Sequence, residues 1–230
     1  RTRRNRRKLF RHNSMRIFIG YESRYPETYE VCKASILRFN KAHDIQPIIK
    51  EEMVDKGYHR PVQGESTDFA FTRFLVPYLC DYTGYALFCD SDFLWRSDPQ
   101  EICSFKEKKY AVHVVKHAQL VVSEHSKMNN KVNRPYNKKY WSSLMYINCS
   151  KAQNLTIESI NNADASDLHG FKWLKNDNEI GDLPVTYNTL VGYYNITDPK
   201  AVHFTDGGPW LISYENVPYA DEWKKIYDNL

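Results

Sequence analysis

The segment Tyr85-Ala86-Leu87-Phe88-Cys89-Asp90-Ser91-Asp92-Phe93-Leu94-Trp95 holds two carboxylates one residue apart between apolar runs. Carboxylates set among apolar neighbours are costly to desolvate unless a charge compensates them. Two nearby hard oxygen ligands suit a divalent cation. The run Tyr85 to Cys89 reads as a buried strand, and open α/β folds place ligands at the carboxyl ends of strands. The spacing therefore points to a metal–diphosphate site at Asp90 and Asp92. The alternative for an Asp-x-Asp taken alone is a strand-to-loop transition with solvated aspartates.

Such a site needs a sheet to carry it, and the rest of the chain supplies the pattern. Met15 to Gly20 reads as a first buried strand closed by a turn residue. Pro26, with Glu27 and Glu30 behind it, suits the first turn of a helix running to about Asn40. Ile45 to Ile49 reads as a second strand, so the chain opens as a parallel βαβ unit. Residues 50–65 are polar and read as a loop. Ser66 is placed to cap a helix reaching about Cys80, which Pro77 should kink or end early. Further strands are expected at Tyr110–Val115, Ser143–Ile147 and Ala201–Phe204, and a closing helix at Ala220–Tyr227. Residues 117–140 are polar and rich in Lys and Asn, a length of loop that is usually functional or disordered. Residues 150–180 read as short helices and loops.

The chain has 230 residues, enough for one sizeable α/β domain. The net charge of +4 is misleading. Arg1, Arg3, Arg4, Arg6, Arg7, Lys8 and Arg11 stand without an acid in residues 1–14, and removing those seven cations leaves −3 for the remainder. The expected organisation is a basic disordered or appended tail over 1–14 and a single domain over 15–230. The tail permits a weak contact with an anionic membrane, and no nucleic-acid partner is expected. No apolar run approaches the ~18–20 residues of a membrane span, and no secretory segment follows the basic start. Five cysteines without paired spacing argue against a disulfide framework or zinc site and for a reducing compartment. The three Asn-x-Ser/Thr sequons, at Asn148, Asn154 and Asn195, are then chance matches. The expected location is the cytoplasm, or a host's cytoplasm for a viral chain.

Several blocks in order resemble one family. Ser66-Thr67-Asp68-Phe69-Ala70-Phe71-Thr72-Arg73-Phe74-Leu75-Val76-Pro77-Tyr78-Leu79 resembles its helix before the metal motif, and Tyr85 to Trp95 its Asp-x-Asp strand. Trp141-Ser142-Ser143-Leu144-Met145-Tyr146-Ile147-Asn148 resembles the strand flanking its sugar pocket. Leu168 to Leu174 and Leu183 to Asn188 resemble two later blocks. His203-Phe204-Thr205-Asp206-Gly207-Gly208-Pro209-Trp210 resembles its C-terminal segment. Over about residues 15–225 the chain is similar to small GT-A-fold glycosyltransferases close to family 8, the glycogenin and bacterial galactosyltransferase group, nearest to short bacterial and viral members.

That resemblance implies a GT-A, Rossmann-like nucleotide-diphospho-sugar transferase fold, with a mixed, mostly parallel central sheet flanked by helices. It implies a metal-dependent hexosyltransferase using a nucleoside-diphosphate sugar, UDP-glucose or UDP-galactose, and a carbohydrate or protein-glycan acceptor. Asp90, Asp92 and His203 would hold Mn²⁺ or Mg²⁺; an imidazole ligand suits Mn²⁺ better. Arg73 would grip a phosphate or a motif carboxylate, its alternative being a surface arginine. Gly20, Tyr21 and Glu22 would border the nucleotide base, with packing as the alternative for Tyr21. Ser91, Trp141, Ser142 and Ser143 would edge the donor and its sugar, with core packing as the alternative for Trp141. The family's lysine before Pro-Trp is absent. Gly207 and Gly208 could instead turn successive N–H groups toward phosphate as an anion nest, or form only a turn. Candidates for the chemical step are Asp164, Asp167, His169 and Asp206, with Asp167 and Asp206 taken as catalytic beside Asp90 and Asp92. Lys116 and His117 are acceptor-side candidates or a solvated strand end. Two rivals stay open: a sugar-1-phosphate nucleotidyltransferase, which would want a glycine-rich basic loop after the first strand, and a non-catalytic nucleotide-sugar or carbohydrate-binding domain.

Overall fold

Alternation of side chains along the first strands decides how the sheet is buried. Ile17 and Ile19 point to one face with Leu87 and Cys89, while Phe18 points to the other with Ala86 and Phe88. Both faces are dry, as expected of strands covered on two sides. The computed structural model describes residues 14–61, 65–117 and 138–230. The expected tail and most of the expected 117–140 loop lie outside the described residues.

The elements run in order β1 (Arg16–Gly20), α1 (Pro26–Leu37), β2 (Asp44–Ile48) and α2 (Lys50–Val54). A 3₁₀ turn (Thr72–Leu75) leads into α3 (Val76–Leu79), then β3 (Tyr85–Cys89), β4 (Phe93–Trp95) and β5 (Val112–Val114). A second 3₁₀ turn (Trp141–Ser143) enters β6 (Leu144–Asn148), followed by α4 (Ile157–Asn162), α5 (Ala165–His169) and β7 (Ile180–Asp182). The chain closes with β8 (Thr189–Leu190), β9 (Ala201–His203) and α6 (Ala220–Tyr227).

Six strands form the main sheet in the order β2-β1-β3-β6-β5-β7. Only β6 runs against its neighbours there, so the sheet is mixed and mostly parallel, flanked by helices. The chain leaves β1 toward β2 on one side and returns to β3 on the other. Their carboxyl ends, Gly20 and Cys89, therefore flank the switch point where such sheets bind ligands. Pro47 sits in β2, an edge strand, where its missing N–H breaks no inner ladder.

The strands β4, β9 and β8 form a second, three-stranded sheet. Its Leu94 and Val202, with Phe204, form one apolar cluster with Val31 of α1 and Trp223 of α6. Arg38 and Arg96 clamp Glu222 of α6 at 2.8 and 2.9 Å. Burial alone would raise the Glu222 carboxyl, but these two guanidinium groups outweigh it and hold it below its ordinary range.

Two expectations need correction. The polar 50–65 stretch is not all loop, since Lys50–Val54 forms α2. Residues 66–71 are not helical, and Ser66 caps nothing. Asp68 spends its carboxylate on Ser23 N and Oγ, and its own N–H on the Glu22 carboxylate. The segment is thus tied to the loop after β1 instead of starting a helix. Pro77 cannot sit in a helix interior, so the regular helix begins around it. Among the described residues, no helix is long and apolar enough to cross a membrane.

Candidate active site

The register of the small sheet brings the site together. The motif carboxylates follow β3 directly, and Asp90 N–H extends the ladder to Ser143 O at 3.0 Å. The chain then enters β4, which pairs antiparallel with β9 so that Phe93 faces His203. Phe204 N–H donates to Asp92 O at 3.0 Å. The Phe93 ring stacks on the His203 imidazole with centroids 4.5 Å apart. As a result Asp90, Asp92 and His203 each offer a ligand atom within 4.8 Å of the other two.

This cluster is nearly closed to solvent. The Asp90 and Asp92 side chains are each 13% exposed and that of His203 is 2% exposed. Arg73 is also buried, and its guanidinium lies 2.8 Å from Asp90 Oδ1 and donates to Ser142 O at 3.0 Å. Its Nε donates to Phe69 O, and the rings of Phe69 and Phe88 face the cation at 5.3 and 5.2 Å. The surface-arginine alternative is thereby excluded. Burial alone would raise the Asp92 carboxyl, but His203 and then Arg73 outweigh it and hold it below the usual carboxylate range.

Asp92 Oδ1 is buried without a hydrogen-bond donor, although it lies 3.3 Å from His203 Nε2. Asn188, fully buried, faces the other side of the ring, with Oδ1 3.0 Å from His203 Nδ1. Two carboxylate oxygens and an imidazole nitrogen converging in a buried space form a donor set that fits a divalent cation of the Mn²⁺ or Mg²⁺ kind.

The neighbouring candidates divide clearly. A Cβ on Gly20 would overlap the Phe69 ring, so glycine there answers to close packing. Tyr21 packs edge-on against Tyr29, with centroids 5.8 Å apart. Glu22 is buried and commits its carboxylate to Arg24 Nε at 2.6 Å and to Asp68 N at 3.0 Å. Ser91 and Asp92 line a cleft with Glu22, Tyr25, Thr28, Thr67, Phe69 and Trp210. Tyr25 and Trp210 are aromatic walls to which no role was given from sequence.

On the opposite side, Ser142 Oγ lies 2.8 Å from His169 Nδ1, which joins His169 to the site between Phe71 and Phe74. The Ser143 hydroxyl donates inward to Tyr140 O at 2.6 Å instead of facing a sugar. Trp141 Nε1 donates to His117 O, and its ring tilts against Phe171. His117 is no solvated strand end. Burial and the nearby His203 push its imidazole down to about 3, and Nδ1 faces Tyr194 OH at 3.0 Å. Lys116 turns away to Asp182 at 3.1 Å.

Asp206 accepts from Tyr193 OH at 2.7 Å, three residues past His203. Asp167 pairs with Lys172 at 2.6 Å on an exposed face, and Asp164 starts α5 with its backbone, so neither is brought to the cluster. The double glycine departs from the expected nest. Gly207 has φ 144° and donates its N–H to Phe204 O at 2.9 Å, so that group is not turned toward a ligand. A Cβ on Gly208 would overlap the Trp210 ring. Both glycines serve a tight turn packed against aromatic rings. Asn188 is the site residue that sequence reasoning missed. It lay inside the Leu183–Asn188 block, and nothing local separates a buried amide with a partner from a surface one.

The architecture and the site at the sheet's switch point define a GT-A-type glycosyltransferase fold. The bifunctional glycosyltransferase WbbM in its apo form superposes with a TM-score of 0.64 at 15% identity over 94% of this chain. This chain spans only 50% of WbbM. The galactosyltransferase LgtC, solved with donor and acceptor sugar analogues, superposes with a TM-score of 0.61 at 10% identity, covering 94% of this chain and 96% of that one. No family model matches the sequence. The chain is 39% identical over 219 residues to Protein CDI of Arabidopsis thaliana, covering 90% of this chain and 84% of the relative. It belongs to the family of that plant protein.

Proposed function

We propose that the protein transfers a hexose from a nucleoside-diphosphate sugar, UDP-glucose or UDP-galactose, to a hydroxyl of a carbohydrate or protein-glycan acceptor. The observation that carries this reading is the buried convergence of Asp90, Asp92 and His203 at the carboxyl end of β3, in a GT-A fold. These three residues would hold Mn²⁺ or Mg²⁺. When bound, the ion would supply Lewis-acid stabilisation of the negative charge that the diphosphate gains as it leaves. LgtC is similar in fold and was solved with donor and acceptor sugar analogues, which supports a sugar-transfer reading by analogy. The family 8 affinity is part of the same proposal.

The chain's own residues do the positioning. Arg73 holds the Asp90 carboxylate at 2.8 Å and fixes it in a nearly buried setting. Tyr25, Phe69 and Trp210 wall a narrow crevice beside Ser91 and Asp92, on the side from which a nucleotide diphosphate would reach the carboxylates. Gly20, Tyr21 and Glu22 act on this cleft indirectly, by building the loop that Asp68 ties down. Ser142 with His169 and Trp141 with His117 form the wall assigned to the sugar side. Of the carboxylates considered for the acceptor hydroxyl, we retain Asp206, which Tyr193 orients and which follows His203 closely.

Calorimetry with a panel of nucleoside-diphosphate sugars tests the reading. UDP-hexoses should bind in Mn²⁺, with slow donor hydrolysis, and should lose binding in EDTA. Equal affinity with and without EDTA would overturn it.

A further inference from the structure

A chain of hydrogen bonds behind His203 has only one consistent assignment of protons. Ser143 Oγ lies 2.6 Å from Tyr140 O, and a carbonyl can only accept, so the single hydroxyl proton is used there. Ser143 Oγ must then accept from Asn188, 2.9 Å away, which fixes the NH₂ end of the amide toward the serine. The carbonyl end of Asn188 therefore faces His203 Nδ1 at 3.0 Å, and Nδ1 must carry a proton to donate. That leaves Nε2, the atom 3.3 Å from Asp92 Oδ1, as the ring nitrogen that takes either a proton toward Asp92 or a cation in its place. Asn188 is 0% exposed, His203 2% and Ser143 3%, so water cannot substitute for a missing link.

We propose that Ser143 and Asn188 are positioning residues that lock His203 in its Nδ1–H tautomer and aim Nε2 at the motif carboxylates. This deepens the metal-site reading and rests on it for its consequence. The 3₁₀ turn Trp141–Ser143 is the hub of the arrangement. Its Ser142 carbonyl accepts from Arg73, its Ser143 carbonyl accepts from Asp90 N–H, and its Ser143 hydroxyl serves Asn188. One short turn thus sets the aim of both the histidine and the first aspartate. Its entry residue Tyr140 holds a left-handed φ of 66°, a strained conformation that the hydroxyl bond from Ser143 helps to retain. Polar groups that orient a histidine ligand typically change metal affinity by about 10–100-fold when removed.

The direct test uses long-range ¹H–¹⁵N spectra of the histidine rings in metal-free protein, with Mn²⁺ calorimetry alongside. Wild type should show His203 protonated on Nδ1. In Ser143→Ala the Asn188 amide is free to turn over and present its NH₂ group, so the ring should shift toward Nε2–H. Its Mn²⁺ Kd should rise by roughly 10–100-fold. Ser143→Thr retains the hydroxyl and should restore both readouts. A wild-type ring without a proton on Nδ1 overturns the proposal, as does a Ser143→Ala variant with unchanged ring protonation and Kd. If the tautomer follows these expectations but wild type binds no Mn²⁺, the relay stands and the metal-dependent reading of the function fails.

Discussion

Asp92→Asn is expected to abolish sugar transfer and donor hydrolysis, with turnover falling by about 10³-fold or more. The amide keeps the size of the side chain and leaves the Arg73–Asp90 pair at 2.8 Å untouched, so the fold should persist. What disappears is one of three ligand atoms and half of the local anionic charge. A divalent ion contributes several kcal/mol to a charged leaving group, and about 4 kcal/mol corresponds to 10³ in rate. Turnover of the purified variant in Mn²⁺, with a melting curve as the folding control, checks this. A folded variant with turnover within tenfold of wild type would show that Asp92 is not in the working site.

Arg73→Ala is expected to have the largest effect on stability. Arg73 and Asp90 form a nearly buried pair, and removing one member strands a poorly hydrated charge. Breaking such a pair costs about 3–5 kcal/mol. The carbonyl oxygens of Ser142 and Phe69 lose donors as well. For a chain of this size each kcal/mol lowers Tm by about 2–4 °C, so a fall of roughly 6–20 °C is expected. Added Mn²⁺ should recover part of that loss, because it would supply a counter-charge to Asp90. Arg73→Lys should fall in between, since it keeps the charge but not the fork. Thermal melts with and without Mn²⁺ measure all three, and a Tm for Arg73→Ala within 2 °C of wild type would contradict the account.

The parts of the fold that were legible had a strong local cause. β3 and α6 fall at the expected bounds, β3 as an apolar run closed by carboxylates. α1 begins at Pro26 as its helix-starting chemistry implies. Of the small sheet, β9 falls within the strand expected at Ala201–Phe204, whereas β4 and β8 are too short to show a period. The false helix at 66–71 failed for a non-local reason. Asp68 and Glu22 are bonded across 46 positions, and the pattern around Ser66 gives no hint of it.

The candidate site was legible in the same uneven way. Asp90 and Asp92 stand out because carboxylates beside buried strands demand compensation. His203 entered through resemblance, since its pairing opposite Phe93 joins distant segments. The glycine nest was a fair reading of Gly207-Gly208 in isolation. The Gly207 N–H instead donates to Phe204 O, which closes a turn. Asn188 shows the limit most plainly. Its role depends on which end of an amide faces a serine hydroxyl, which is a property of the folded network alone.

The central claim is that Asp90, Asp92 and His203 hold a divalent ion against a nucleotide diphosphate. Crystals grown with Mn²⁺ and UDP test it most directly, through the anomalous scattering of manganese. The account predicts one strong anomalous peak bounded by the two carboxylates and His203 Nε2, in contact with the diphosphate. UDP bound in the cleft with no anomalous peak among these three residues, or with the peak elsewhere, would contradict it.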